Sequence, residues 1–174
     1  MISIHNPHEK SDEVENERPR GLLILFVLTA INTSTQLLSS VAGVFSGSAD
    51  SVAMEEVKFE NARLIKSFRD MGSSEDMLEV IRKMEVITLA TLENLQLMSF
   101  LMLLFSGLGL YGALTMFRGL KKGFHMYIAY SFLCLIQYYF IVSPSEIPIY
   151  VMLTNGSVSL LFVYLYSRHL TWMK

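Results

Sequence analysis

Asp, Glu, Lys and Arg are absent from four stretches of the chain: Gly21–Phe45, Leu95–Phe117, Phe124–Val142 and Ile149–Ser167. An α-helix rises about 1.5 Å per residue, so about 20 apolar residues cross a hydrocarbon core of about 30 Å. Each stretch is long enough. The pattern predicts an all-α polytopic membrane protein with four transmembrane helices, at 21–45, 95–117, 124–142 and 149–167.

Residues 46–94 follow a different pattern. Val57, Leu64, Phe68 and Met71 recur at helical spacing with Ile65 alongside, while Glu56, Glu60, Lys66 and Asp70 supply a polar surface, which predicts an amphipathic helix. Gly72-Ser73-Ser74 ends it. Ser73 followed by Asp76 resembles a capping box, and Met77, Ile81, Met84, Thr88 and Leu92 mark a second stripe that enters the second span without Gly or Pro. The expectation is one helix from about Ser74 to Phe117, about 66 Å long, standing well outside the bilayer. The first loop helix would fold back on it, making an extracytoplasmic helical hairpin between spans one and two. Residues 1–20 have only Ile2, Ile4 and Val14 as aliphatic side chains and are expected to form a disordered head. They are long and acidic, and no small-residue cleavage site follows, so span one is expected to be a retained anchor rather than a signal peptide.

Charge sets an orientation. Arg118, Lys121 and Lys122 crowd the connection between spans two and three, whereas Ser143–Pro148 carries no Lys or Arg. By the positive-inside rule the first connection is cytoplasmic, and Lys10, Arg18, Arg20, Arg168 and Lys174 then fall on that same side. Both termini are expected in the cytoplasm. Against this, Lys58, Arg63, Lys66, Arg69, Arg82 and Lys83 lie in the loop at 46–94, where acids outnumber them.

Composition agrees with the pattern: 52% of residues are hydrophobic and 17% charged, which places the chain among membrane proteins. The net charge of −2 offers no basic footprint for nucleic acid, and no nucleic-acid partner is expected. Cys134, the single cysteine, excludes an intrachain disulfide.

Gly107-Leu108-Gly109-Leu110-Tyr111-Gly112 matches the dinucleotide-binding glycine pattern by letter, but it lies inside an apolar helix without the strand and helix N-terminus that chemistry requires. Ser106, Gly109, Gly112 and Ala113 read instead as a small-residue face on which another helix packs closely. Asn32, Gln36, Gln137 and Asn155 all fall near mid-bilayer by depth, which predicts a polar cluster serving as interhelical hydrogen bonds or lining a path for a small polar substrate. Thr29, Thr33, Ser40 and Gly43 share the side of span one that carries Asn32 and Gln36.

Glu85 and Glu93 read as solvated or interfacial carboxylates. His5 and His8 are too few for a metal site, and His125 and His169, like Tyr127 and Trp172, read as interfacial anchors rather than as ligands of a shared metal or haem. Tyr138, Tyr139 and Tyr150 fit an outer aromatic belt. No serine elbow, phosphate loop or zinc-protease motif occurs, so neither catalysis nor a cofactor is expected.

Three sets of residues carry a family resemblance: Arg18–Leu23 leading into Leu28-Thr29-Ala30-Ile31-Asn32; Gly112–Phe117 before Leu120-Lys121-Lys122-Gly123-Phe124; and the closing Tyr164–Lys174. Together they resemble small four-span inner-membrane proteins of Bacteroidota that lack an assigned function. The resemblance implies a Gram-negative inner membrane and a periplasmic hairpin, and carries no site residues with it. The expected function is that of a non-enzymatic accessory subunit, bound to other membrane proteins or to its own copies in the lipid bilayer. The alternatives are a small transporter or channel using the amide cluster and, third, a lipid enzyme using Glu85 and Glu93.

Overall fold

A computed structural model describes residues 18–47 and 50–174. The expected head, except for its last three residues, lies outside them, as do His5 and His8. The described chain is helical throughout: α1 (Arg20–Phe45), α2 (Ser51–Asp70), α3 (Glu75–Glu93), α4 (Leu95–Phe117), α5 (Lys122–Ile136) and α6 (Ile149–Ser167), with 3-10 turns at Gln137–Phe140 and Pro144–Glu146. Three helices, α1, α4 and α6, are long and apolar enough to cross a membrane.

The third uncharged stretch is not one α-helix. α5 has 15 residues and tightens at Gln137 into four residues of 3-10 helix. Two causes lie in the sequence. The aromatic run Tyr138-Tyr139-Phe140 is a weaker helix former than the leucines before it. Pro144 then holds Ser143 extended, at φ −61° and ψ 144°.

α1 and α4 run antiparallel in a register fixed by three contacts. Phe26 stacks on Phe117 at 4.3 Å between ring centroids, Ser106 donates to Gln36 at 3.0 Å, and a Cβ on Gly43 would collide with the Ser99 side chain. α4 then returns as α5 through a tight turn. Gly119, at φ +84°, takes the left-handed conformation that closes a helix C-terminus: its N–H reaches Met116 O and the Leu120 N–H reaches Thr115 O. The C-terminal tail seals this turn. Lys174 donates to Gly119 O and accepts from Lys121 N, and Trp172 packs over Gly119.

Leu22, Leu25, Phe105, Met116, Tyr127, Tyr130, Tyr166 and Met173 form the main core. Tyr127 is therefore no interfacial anchor. Gly123, Tyr127 and Tyr130 follow one another at helical spacing on the face that α5 turns toward α4 and α6, and the Tyr127 ring lies 4.9 Å from that of Tyr166.

The hairpin forms, but it does not stand away from the bundle. Gly72 closes α2 as Gly119 closes α4, with the Ser73 N–H on Phe68 O. α3 begins at N-cap Ser74 with no side-chain capping bond, so the capping box expected at Ser73 is absent. The single long helix expected from Ser74 to Phe117 is interrupted at Asn94, at φ −108° and ψ 30°. There the side-chain amide donates to Ala90 O at 2.9 Å, competing with the backbone ladder. Leu78 and Ile87 are the buried residues of α3, whereas Met77 and Met84, expected on its apolar stripe, are exposed. Leu64 of α2 and Met71, the residue that caps it, are exposed likewise. Ile87 packs with Val142 and Ile147, and Asp76, Glu79 and Lys83 lie across a groove from Pro148 and Tyr150. A straight continuation of α4 would carry Glu79 about 24 Å beyond Leu95. α3 instead leans on the loop that joins α5 to α6.

Candidate functional site

Leu22, Leu25, Thr29, Thr33 and Ser40 are the buried residues of α1, and Gln36 and Gly43 continue the same three-or-four spacing. The stripe is apolar at one end and polar at the other. Most of its hydroxyls are satisfied within their own helix: Thr33 donates to Thr29 O at 2.8 Å and Ser40 to Gln36 O at 2.7 Å. Thr35, on the outer side, does the same to Ile31 O. The polar groups left over tie helices together. Thr29 Oγ1 and Tyr166 OH share a hydrogen bond of 2.9 Å, linking α1 to α6. Gln36 Oε1 accepts from Ser106 Oγ at 3.0 Å and from Tyr130 OH at 3.4 Å, joining α1, α4 and α5 at one atom.

The small-residue face of α4 is buried along its length. Ser106 meets Gln36. A Cβ on Gly109 would lie 2.8 Å from the Tyr130 ring, and one on Gly112 would lie 3.1 Å from both Gly123 O and Tyr127 N. Ala113 is buried as well. This face therefore packs α1 and α5 within the chain.

The four amides do not meet. Gln36 and Gln137 line one groove, Asn32 lines another, and Asn155 is exposed on α6. Equal depth does not imply a shared azimuth: Asn32 precedes the inward-facing Thr33 by one residue, about 100° around the helix.

The groove that Asn32 lines has a volume of about 370 Å³ and lies between α1, α5 and α6, with Thr29, Tyr130, Ser131, Cys134 and Ser159 among its walls. The second is larger, about 540 Å³, and is framed by the far half of α1, by α3, by the start of α4 and by the end of α5. α1 lines it with Gln36, Ser39 and Ser40, and α3 and α4 with Met84, Met98 and Met102, among which Thr88, Thr91 and Ser99 also lie. Gln137 is 8% exposed, and its Oε1 has no hydrogen-bond partner among the described residues.

The remaining candidates are dispersed. His169 rests against the Gly21 backbone, while His125 Nδ1 is 3.3 Å from Lys121 O. Glu85 and Glu93 face Lys58 of α2, whose ammonium is held by Glu55 at 2.9 Å. That hydrogen bond first, and the neighbouring carboxylates after it, raise the Lys58 pKa above the ordinary lysine value. Among the described residues no group of three or more His, Cys, Asp or Glu is placed to hold a metal ion.

Known families, curated proteins and solved structures offer no match to this chain. Its site is read from its own chemistry. The residues that sequence reasoning missed are Tyr130 and Tyr166, taken only as part of apolar runs. Their signal was the spacing of Tyr130 from Gly123, and the threonines that span one offers opposite them.

Proposed function

We propose that the chain is a non-enzymatic integral membrane protein that crosses the bilayer four times and serves as an accessory subunit, joined to other membrane proteins or to its own copies through exposed helix faces. α6 carries this reading. It is long and apolar enough to cross a membrane, yet Tyr166 is its one buried residue. Thr154, Asn155 and Ser157 are exposed along it, and a Cβ on Gly156 would meet nothing within 4 Å. An amide facing hydrocarbon without a partner is costly, and small residues beside it let a second helix come close. Such a face is completed by another helix.

The fourth crossing rests on length. Fifteen α-helical residues and four 3-10 residues together rise about 30 Å, enough for α5 to traverse the hydrocarbon. Orientation rests on charge. Arg18 packs over Phe117 and Lys121 pairs with Lys174, so the basic residues of three segments gather at one end, which the positive-inside rule assigns to the cytoplasm. Both termini then lie in the cytoplasm, and in a bacterial inner membrane the hairpin faces the periplasm. The alternative, a small transporter or channel, would need Asn32, Gln36, Gln137 and Asn155 to converge, and they are divided between two grooves and an open helix face.

Gly156→Leu and Asn155→Leu test the assembly. Both changes fall on open surface, so the fold of each variant, followed by circular dichroism, should match the unsubstituted chain. On native gels in mild detergent the unsubstituted chain should run as a complex larger than one copy, and Gly156→Leu should shift it toward the mass of one copy. Complexes of unchanged size in both variants would sink the assignment of α6 as the assembly face.

A further inference from the structure

Buried amide groups almost always find hydrogen-bond partners, and the exceptions in a folded protein call for an explanation. Gln137 is such an exception: 8% exposed, with an unpartnered Oε1, it lines the larger groove. Gln36 lines the same groove, and its carbonyl is already occupied by Ser106 and Tyr130, which leaves its NH₂ as a donor. The groove thus offers an acceptor on α5's end and a donor on α1. A hydroxyl group, which donates and accepts at once, satisfies both kinds. No Asp, Glu, Lys, Arg or His lines the groove, so a charged head would lose its hydration without gaining a counter-charge. α3 and α4 line it with Met84, Ile87, Leu92, Leu95, Met98 and Met102, a soft surface that moulds itself to a flexible chain. Thr88 and Thr91 lie among them but spend their hydroxyls on Met84 O and Ile87 O of their own helix, and Ser99 is the other hydroxyl on this side.

The groove also sits at a particular height. It spans the last turns of α1, at Gly43, and the first turns of α4, at Leu95 and Ser99, where the uncharged stretches begin and end. Its volume of about 540 Å³ is within the range of sites that hold small organic ligands. We propose that this groove binds an uncharged lipid bearing a free hydroxyl, with the hydroxyl on Gln137 and the acyl chain along the methionines. The proposal stands on the groove alone and does not depend on assembly through α6.

The test uses the full chain in phosphatidylcholine nanodiscs with a monoacylglycerol that carries a diazirine on its acyl chain. Illumination should label peptides containing Thr91, Met98 or Met102, and unlabelled dioleoylglycerol should compete. Gln137→Leu keeps the side chain's bulk and removes the acceptor; labelling should fall about tenfold, the equivalent of one hydrogen bond to a buried acceptor. Ser39→Trp, an exposed position on the groove's rim, should block labelling without touching the core, and it keeps the test decisive if Gln137→Leu does not fold. A fatty acid with the same diazirine, charged at its head, should label the groove far less. Labelling that is scattered over the chain, that survives both substitutions, or that is as strong with the fatty acid would overturn the proposal.

Discussion

Gly123→Ala is expected to destabilise the bundle by about 3 kcal/mol, the upper end of what overpacking costs. The added Cβ would lie 2.5 Å from Gly112 O and 2.6 Å from Met116 N. Both are backbone atoms of α4, and neither can swing aside as a side-chain tip would. α4 and α5 must separate instead, and that movement loosens Tyr130 on Gly109 and Tyr127 on Gly112, which depend on the same close approach. Denaturant titration in mild detergent, followed by circular dichroism, measures the loss. Gly107→Ala is the internal control, because nothing lies within 4 Å of its Cβ and it lies outside the proposed assembly face of α6. It should be neutral or gain up to about 1 kcal/mol from helix propensity. Equal stability of Gly123→Ala and the unsubstituted chain would mean that α4 and α5 do not meet at these glycines.

Gln36→Leu should be the second most damaging change. It removes the acceptor shared by Ser106 and Tyr130, and Ser106 is fully buried, so its hydroxyl is stranded. A buried hydroxyl left unpaired costs about 1–3 kcal/mol, and interhelical hydrogen bonds in membranes contribute about 0.6–1.7 kcal/mol each. A loss of about 2 kcal/mol follows. The mechanism has its own signature. Ser106→Ala added to Gln36→Leu should recover much of the loss, since removing both partners leaves nothing unsatisfied. Strict additivity of the two substitutions would indicate that the Gln36–Ser106 bond contributes nothing.

How far the sequence disclosed this architecture depends on which kind of information each feature needs. Uncharged length is written in the chain, so α1, α4 and α6 were legible as long apolar helices, and Gly72 marked the end of α2 because few other residues take a positive φ. Azimuth was not legible, because it is decided by partners far away in sequence: Gly112 against Gly123 turns Tyr127 inward, where its position near a helix end suggested an interfacial ring. The amide cluster failed on this point, with direction unread for Asn32 and Asn155. α3 failed differently. A hydrophobic stripe marks one face, but α3 packs on α2 and on the loop after α5, so Leu78 and Ile87 are buried in place of Met77 and Met84. The break at Asn94 comes from one side-chain hydrogen bond, too local to disturb the apolar pattern that suggested an unbroken helix.

The central claim is that the chain crosses the membrane four times, with α5 as a crossing despite its short α-helical part. Cys134 is the single cysteine, so a Cys134→Ser background accepts one new thiol at a time: Ala62→Cys in α2, Leu120→Cys in the α4–α5 turn, Ser145→Cys in the α5–α6 loop and Lys174→Cys at the C-terminus, all exposed positions. Labelling of intact spheroplasts with a membrane-impermeant maleimide should modify the thiols at 62 and 145 from outside. Those at 120 and 174 should react only after permeabilisation. Labelling of 120 and 145 from the same side would contradict the account, because α5 would then not cross.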